Sequence, residues 1–145
     1  MNARPTLHLV KIAQGIESPA ALRRAQQRRL RAGANGQGRL VHFTRNRPAR
    51  ADELLAGGSI YWIIRGYISV RQRLLDIASA TNARGIQGVE LVFHPDLVAT
   101  EPRRQRAFQG WRYLDAGQAP PDRAAIVDQN LPDALAHELY RLGLL

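Results

Sequence analysis

The chain has 145 residues, a net charge of +9 and no cysteine. Because this length is close to the usual size of one domain, we expect a single domain over residues 1–145 with a core that needs no disulfides. The missing cysteines exclude thiolate zinc sites and cysteine nucleophiles, and they favour a cytoplasmic protein. No apolar run is long enough to cross a membrane, and the N-terminus lacks the apolar segment of a signal peptide.

Arginine carries almost all of the positive charge, since Lys11 is the only lysine among the 21 basic residues. Arginine binds phosphate through two hydrogen bonds and stacks on bases, so the bias is compatible with a nucleic-acid partner. A GC-rich genome is an alternative explanation, because it favours arginine codons. The charge therefore indicates a class of partner and says nothing about the fold.

The first third of the chain reads as strand, helix, strand and helix. Residues 6–13 (TLHLVKIA) alternate in polarity and predict a first strand. Ser18 offers an N-cap with Pro19 at the first helical position, which predicts a helix to about residue 32. Residues 39–44 (RLVHFT) predict a second strand, and residues 49–56 predict a short helix that ends at Gly57 and Gly58.

The first helix is predicted to be mostly solvated, because its apolar residues are few. Arginines cover most of its surface: Arg23, Arg24, Arg28, Arg29 and Arg31. Such a cluster attracts phosphate at long range, although a run of like charges is also typical of a simply solvated face.

The central segment, residues 57–77 (GGSIYWIIRGYISVRQRLLDI), has the two-residue period of a strand. One straight strand over residues 60–77 would be roughly 60 Å long, whereas a domain of this size is only about 40 Å across. Residues 60–77 must therefore turn, and Gly66 is the one glycine among them and so the one residue that readily tolerates positive φ. A hairpin turn at Arg65 and Gly66 and a bulge in a continuous strand both fit. We favour the bulge, because arginine is a poor first residue for a type I′ turn.

The two faces of this segment differ in chemistry. One face carries apolar residues such as Ile60, Trp62 and Ile64, and is expected to lie in the core. The other face combines rings that stack on bases with arginines that bind phosphates, and it predicts a nucleic-acid surface: Tyr61, Arg65, Tyr67, Ser69, Arg71 and Arg73. In the alternative structural interpretation, the tyrosines fill a second core layer under a helix while the arginines pair with acids: Asp76, Glu90 or Glu101.

The last third of the chain has weaker patterns. Residues 78–88 read as a polar loop, residues 89–93 as a strand that ends before Pro95, residues 111–114 as a short strand and residues 131–142 as a last helix. Residues 100–109 lack periodicity and are basic. Exposed arginines beside aromatic rings would form a second binding edge: Arg103, Arg104, Arg106 and Arg112 with Phe108, Trp111 and Tyr113.

Residues suited to catalysis or metal binding are scattered. His42 and His94 could lie on adjacent strands near Asp96 or Glu90, but no HxH, HxxxH or HExxH spacing supports a metal site. Neither a GxSxG nucleophile elbow nor a glycine-rich nucleotide loop is present. We therefore predict no metal and no cofactor, and no reaction can be read from the sequence.

Two blocks, GGSIYWIIRGYISVRQRLLDI and TEPRRQRAFQGWRYL, resemble an uncharacterised family of small bacterial proteins known only as a domain of unknown function. The resemblance covers nearly the whole chain and implies no activity. Residues 51–73 also look like the PUA-like group, which includes ASCH domains. That similarity implies a small mixed barrel that binds RNA or modified bases.

We therefore expect an α+β domain with a mixed, mainly antiparallel, barrel-like sheet of five or six strands and about three helices. The predicted function is nucleic-acid binding, with RNA favoured over DNA and no membrane partner. One alternative is a small hydrolase or transferase in which Arg65, Arg71 or Arg73 clamps an anion in a concave pocket. The other is an interaction module that docks on an acidic partner or forms homodimers through Trp62 or Tyr67.

Overall fold

The structure is a computed structural model that describes residues 7–32 and 39–123. Its elements, in chain order, are β1 (Leu7–Ile12), α1 (Pro19–Ala32), β2 (Leu40–Thr44), α2 (Ala51–Leu55), β3 (Ser59–Ile64), β4 (Tyr67–Thr81), β5 (Gln87–Arg104), β6 (Trp111–Asp115) and a 3₁₀ turn at Ala116–Gln118. The predicted strands at β1, β2 and β6 and both predicted N-terminal helices are confirmed. The helix predicted at residues 131–142 lies outside the described residues.

The described strands form one sheet in the order β2-β5-β4-β3-β1-β6. All neighbours are antiparallel except β1 and β3, which run parallel, so the predicted mixed and mainly antiparallel α+β sheet is confirmed. The predicted barrel is wrong, because β2 pairs only with β5 and β6 only with β1, which leaves the sheet open. Two α-helices, rather than about three, lie within residues 7–32 and 39–123.

The central segment turns back on itself at Arg65 and Gly66, so the preferred bend of a continuous strand is wrong. Arg65 has φ of 51° and Gly66 has φ of 81°, the left-handed pair that a two-residue type I′ hairpin requires. Ile64 lies opposite Tyr67 immediately beyond the turn. The backbone hydrogen bonds between β3 and β4 outweigh the modest strain of an arginine at positive φ.

A bulge also exists, but it lies beyond the turn. Ile63 pairs with Ile68 while Trp62 pairs with Val70, so Ser69 is one extra residue in β4. The two-residue turn shifts the alternation of faces by one position, and the extra residue shifts it back. The alternation predicted for β3 and for residues 70–74 is therefore correct, whereas Tyr67 and Ile68 lie on the faces opposite to those expected. A further register shift after Leu74 places Ile77 in the same core cluster as Leu74.

Strands β4 and β5 are longer than predicted. Strand β4 continues through the expected polar loop to Thr81, and β5 continues past the expected stop to Arg104. The pairing of the two strands passes from Leu74 with Phe93 to Gln72 with Leu97, so Pro95 lies in a bulge where no ladder hydrogen bond is needed from it. Residues 100–104 of the basic segment 100–109, which lacks a strand period, are therefore strand.

The two faces of the sheet are covered differently. The helix-covered face packs apolar side chains of β1 to β5 against Leu22 of α1 and Leu54 of α2. The loop-covered face has a smaller cluster, against which Phe108 and Ala119 of the coil segments pack: Val10, Tyr61, Ile63, Ile68 and Leu114. Because both faces are covered, every residue of β3 is buried.

Gly58 explains why helix α2 can sit so close to the sheet. A Cβ at this position would lie 2.4 Å from the Leu54 carbonyl oxygen and 2.6 Å from that of Leu7. Only glycine fits between these two backbones. The predicted N-cap is also confirmed, since the amide of Ala21 donates to Ser18 Oγ at 3.0 Å.

Candidate nucleic-acid interface

The predicted Arg/Tyr face of the central segment is divided by the fold into buried and exposed parts. Tyr61 and Ser69 are buried, at 4% and 2% exposure, and Tyr61 packs edge-on against the ring of His8 at 5.0 Å between centroids. Neither side chain can reach a base or a phosphate. We therefore remove both from the predicted surface, because the loop-covered core takes up the positions that alternation assigned to solvent.

Arg71 is held by an acid in a coil segment. Its Nε and Nη2 donate to the two carboxylate oxygens of Asp122 at 2.8 Å each, and its Nη1 donates to Ser59 Oγ at 3.0 Å. These hydrogen bonds to Asp122 raise the pKa of Arg71. The alternative structural interpretation correctly paired Arg71 with a carboxylate. The partner is Asp122, however, and not Asp76, Glu90 or Glu101.

Asp122 is brought to Arg71 by backbone pairing with β5. The Glu101 amide donates to the Pro121 carbonyl at 2.8 Å, and the Arg123 amide donates to the Ala99 carbonyl at 2.9 Å. Thr100 forms an antiparallel bridge with Asp122 itself. No sequence pattern in this proline-rich segment signals strand pairing, so the contact could not be predicted.

His8 completes a polar cluster under the coil segments. The amide of Ser59 donates to its Nδ1 at 3.0 Å, which fixes a neutral imidazole with its proton on Nε2. Burial lowers the pKa of His8, and the positive charge of Arg71 lowers it further. This cluster ties β1, β3 and β4 together, and its polar groups are used within the fold.

Two other arginines predicted to bind nucleic acid, one from each predicted set, are exposed but differ in their contacts. Arg112 lies over the ring of Phe108 at 4.1 Å from the centroid, which is a cation–π contact. Arg73 is exposed opposite Ser59, at the end of β3 that is far from the hairpin turn. Neither belongs to the cluster formed at the turn.

One corner of the sheet brings the two predicted sets of residues together. Tyr67 lies opposite Arg104, Ile68 lies opposite Arg103, and the Gln105 amide donates to the Gly66 carbonyl at 2.8 Å. We define the arginine corner as five exposed residues at this place: Arg65, Tyr67, Arg103, Arg104 and Arg106. Tyr67 and Arg104 share the face of Ile64, whereas Arg103 shares the opposite face with Ile68, so the corner carries positive charge on both faces of the sheet.

The arginine corner has little neutralising charge near it among the described residues. Glu17 Oε2 lies 3.9 Å from Arg65 Nη2, but both side chains are more than 70% exposed, at 81% and 72%. Such an exposed pair contributes little and leaves the guanidinium able to exchange partners. Glu101 is exposed on the same strand as Arg103. Tyr67 is 44% exposed, so part of its ring is open to a stacking partner.

A second feature, which the sequence analysis missed, is a pocket on the helix-covered face. It has a volume of about 170 Å³ and lies between β1, α1 and β2, over Trp62 and Phe93. Its polar lining includes Lys11, Arg29 and His42. One feature of the sequence could have indicated this pocket: alternation places the charged Lys11 on the same face of β1 as the core residues Leu7 and Leu9.

A buried amide network forms the wall of this pocket. Gln26 and Gln72 exchange two side-chain hydrogen bonds at 2.9 and 2.8 Å. Trp62 Nε1 donates to Gln72 Oε1 at 3.1 Å, and Gln72 Nε2 donates to the His94 carbonyl at 2.8 Å. Because an indole N–H can only donate, it fixes which end of the Gln72 amide faces it.

Two of the alternative predictions can be compared with this geometry. Trp62 is buried at 7% exposure, so homodimerisation through its ring is wrong, while Tyr67 remains available. The pocket is lined by none of Arg65, Arg71 and Arg73, the residues that the enzyme alternative required at a concave site. Within the described ranges no three metal-binding side chains come together, and no described helix is long and apolar enough to cross a membrane.

Comparison with known proteins gives one match. A family model described as "Protein of unknown function (DUF1489)" matches residues 9–145. No curated protein and no solved structure gives a significant match, so the PUA-like similarity has no support from the comparisons. Because the matched region covers nearly all of the chain, the protein belongs to the DUF1489 family.

Proposed function

We propose that the protein binds single-stranded nucleic acid, and RNA in preference to DNA, at the arginine corner. The observation that carries the proposal is the pairing of Tyr67 with Arg104 at the tip of the β3–β4 hairpin. It brings a partly exposed ring and four exposed arginines, from two segments far apart in sequence, to one corner of the sheet, where Tyr67 and Arg104 share a face and Arg103 lies on the other. The net charge of +9 favours the approach of any polyanion to this surface.

Each part of the corner has a separate role in this proposal. A base stacks on the ring of Tyr67, an interaction worth about 1 to 3 kcal/mol. Arg104, on the face of Tyr67, contacts the phosphate next to the stacked base, and Arg103 contacts a phosphate where the strand passes to the other face, since guanidinium groups bind phosphate oxygens with two hydrogen bonds. Arg65 and Arg106 add charge at the edges. Arg73, Arg112 and the arginines of α1 lie outside this contact and contribute only to long-range attraction.

Single-stranded RNA is favoured because the corner offers one partly exposed ring at the tip of a hairpin. Proteins that read RNA through exposed rings take bases from single-stranded segments, where the bases are already unstacked. A hairpin tip with one stacking ring can serve such a base but cannot enter the groove of a duplex in the way that a helix does. We therefore expect an oligouridylate to bind more tightly than the matching oligothymidylate and the matching duplex.

Fluorescence anisotropy with a labelled oligouridylate of about 15 nucleotides tests the proposal over a series of salt concentrations. With four phosphate contacts, the slope of log K against log salt should be close to about −3. Tyr67→Ala should weaken binding about tenfold with little change in the salt slope, since the ring contributes stacking and not charge. The pair Arg103→Gln and Arg104→Gln should reduce the slope by about 1.4.

The control is a double variant with the same loss of charge elsewhere. Arg45 and Arg84 are exposed at the opposite end of the long β4–β5 hairpin. Arg45→Gln with Arg84→Gln should leave affinity within about twofold of the unsubstituted protein, because screening weakens charges beyond the Debye length. Equal losses in the control and the corner variants, or no binding at low salt, would refute a localised site.

A further inference from the structure

The pocket over Trp62 and Phe93 has the dimensions of a site for one small molecule. Its volume of about 170 Å³ is close to that of an apolar cavity of about 150 Å³ that accepts one benzene ring. The floor is aromatic, with Trp62 and Phe93 packed edge to face at 5.6 Å between centroids. Leu22, Leu40 and Ile16 supply apolar walls. A single flat ring fits this surface, whereas a nucleotide is too large for it.

The charges that line the pocket are all of one sign. Lys11 comes from β1, Arg29 from α1 and His42 from β2, and none of the described residues that line the pocket is acidic. Burial lowers the pKa of Lys11, and burial followed by the charges of Lys11 and Arg29 lowers the pKa of His42. Lys11 is half-buried, and among the described residues no carboxylate lies within 4 Å of its ammonium group. A bound anion would therefore stabilise its charged form.

The amide network gives the pocket a fixed polar group. Gln26 is 7% exposed, lines the pocket and is held by its paired hydrogen bonds to Gln72. Its described hydrogen bonds use one of its two amide hydrogens, which leaves the second one for a ligand. Such a network is costly to bury unless each group is satisfied. A ligand oxygen that accepts from Gln26 would satisfy it.

We propose that this pocket binds a small aromatic anion, that is, one ring carrying a carboxylate or a phosphate group. The ring lies against Trp62 and Phe93, and the anionic group faces Lys11 and His42. The apolar part supplies most of the buried area, and the charge supplies selectivity for anions over neutral rings of equal shape. This site is separate from the arginine corner and does not depend on the nucleic-acid proposal.

Three probes test the site on the full chain: benzoate, the neutral amide benzamide, which matches it in shape, and phenyl phosphate, which carries the other anionic group. Binding is followed by NMR, through the shifts of the Trp62 indole N–H and the His42 ring protons. We expect benzoate or phenyl phosphate to bind at least about tenfold more tightly than benzamide, the difference that one charge-assisted hydrogen bond makes. Comparison of benzoate with phenyl phosphate tells which anionic group the site prefers.

Two variants and one titration separate this site from general attraction to a basic protein. Lys11→Met keeps the length of the side chain and should remove the preference for benzoate over benzamide. Arg24→Met removes a charge from the exposed side of α1, outside the pocket lining, and should leave that preference within about twofold. In the unsubstituted protein, saturation with benzoate should raise the pKa of His42, because a bound anion stabilises the imidazolium.

The proposal fails if benzoate, phenyl phosphate and benzamide produce equal shifts, or if none of them shifts the Trp62 and His42 signals at millimolar concentration. It also fails if Arg24→Met and Lys11→Met have the same effect. Tyr67→Ala should leave benzoate binding unchanged. Loss of RNA binding in that variant with benzoate binding intact would show that the two sites are independent.

Discussion

The two faces of the sheet are built in different ways, although the same strands supply both. On the helix-covered face, side chains of five strands and two helices form a continuous apolar core in which the buried polar side chains are the paired amides of Gln26 and Gln72. On the loop-covered face the apolar cluster is small, and polar contacts among His8, Ser59, Arg71 and Asp122 lie beside it.

This difference shows what a covering element must provide. A helix satisfies its own backbone, so apolar side chains such as Leu22 and Leu54 can hold it to the sheet, with the Gln26–Gln72 pair as an added contact for α1. A coil segment has few apolar side chains and unsatisfied backbone groups, so it needs specific hydrogen bonds to stay in place. The bridge between Thr100 and Asp122 and the ion pair of Asp122 with Arg71 supply them.

The largest expected effect is the loss of stability when one buried leucine on each face of the sheet is truncated to alanine. Leu91 is fully buried in the helix-covered core, and Leu114 is 7% exposed in the smaller cluster. Leu91→Ala should lower the free energy of unfolding by about 3 to 5 kcal/mol, whereas Leu114→Ala should lower it by about 2 to 3 kcal/mol, because coil segments can relax into the cavity. Urea denaturation measures both, and an equal or reversed order would contradict the comparison.

A smaller effect concerns the pH dependence of stability. The pKa values of His8 and His42 are lowered in the folded protein, chiefly by burial, so the unfolded chain binds these protons first as the pH falls. Their contribution to stability is complete above the unfolded pKa of about 6.5, and it decreases as the pH falls towards the folded values. Each histidine contributes a slope of up to about 1.4 kcal/mol per pH unit in that window.

The matched variants for this prediction are His8→Asn and His42→Asn, one for each face. In His8→Asn, the amide oxygen of the introduced side chain could still accept the Ser59 amide hydrogen while the titrating group is removed, so the slope between about pH 6.5 and pH 5 should decrease. Thermal unfolding over this pH range checks the result. An unchanged slope in both variants would mean that other groups control the acid destabilisation.

The smallest expected effect is the coupling of Arg71 with Asp122. The side chains of Arg71 and Asp122 are 25% and 45% exposed. Solvent screening therefore limits the coupling free energy to about 1 kcal/mol, although the hydrogen bonding is bidentate. A double-mutant cycle with Arg71→Met and Asp122→Asn measures it in urea denaturation. Faster amide exchange at Arg123 in Asp122→Asn would show that the coil segment has loosened, and zero coupling would mean that backbone pairing alone holds it.

The elements that could be predicted from the sequence are those with local signals. Ser18 and Pro19 mark the start of α1, and the alternation of residues 6–13 and 39–44 predicts β1 and β2. Two predictions were wrong for the same reason: each assumed that a single residue decides the local backbone structure. Pro95 was expected to end a strand but lies in a bulge, and Arg65 was expected to prevent a type I′ turn that strand pairing imposes.

The candidate sites depended more strongly on the tertiary structure. Of the ten predicted nucleic-acid residues, the fold buries Tyr61 and Ser69, pairs Arg71 with Asp122, and brings Arg65 and Tyr67 beside Arg103 and Arg104. The pocket around Lys11 was not expected, because its lining comes from five elements separated in sequence: β1, α1, β2, β3 and β5. A period-two pattern assigns residues to two faces, but it cannot say that coil segments will cover the second face.

The sequence by itself determined the net charge, the strand and helix character of the N-terminal elements, and the division of β1 and β3 into two faces. These properties follow from composition and from backbone geometry that repeats along the chain. Only the tertiary structure decided the strand order, the open sheet, the partner of Arg71 and the joining of the arginine corner. Each of these depends on contacts between distant segments, which local patterns do not encode.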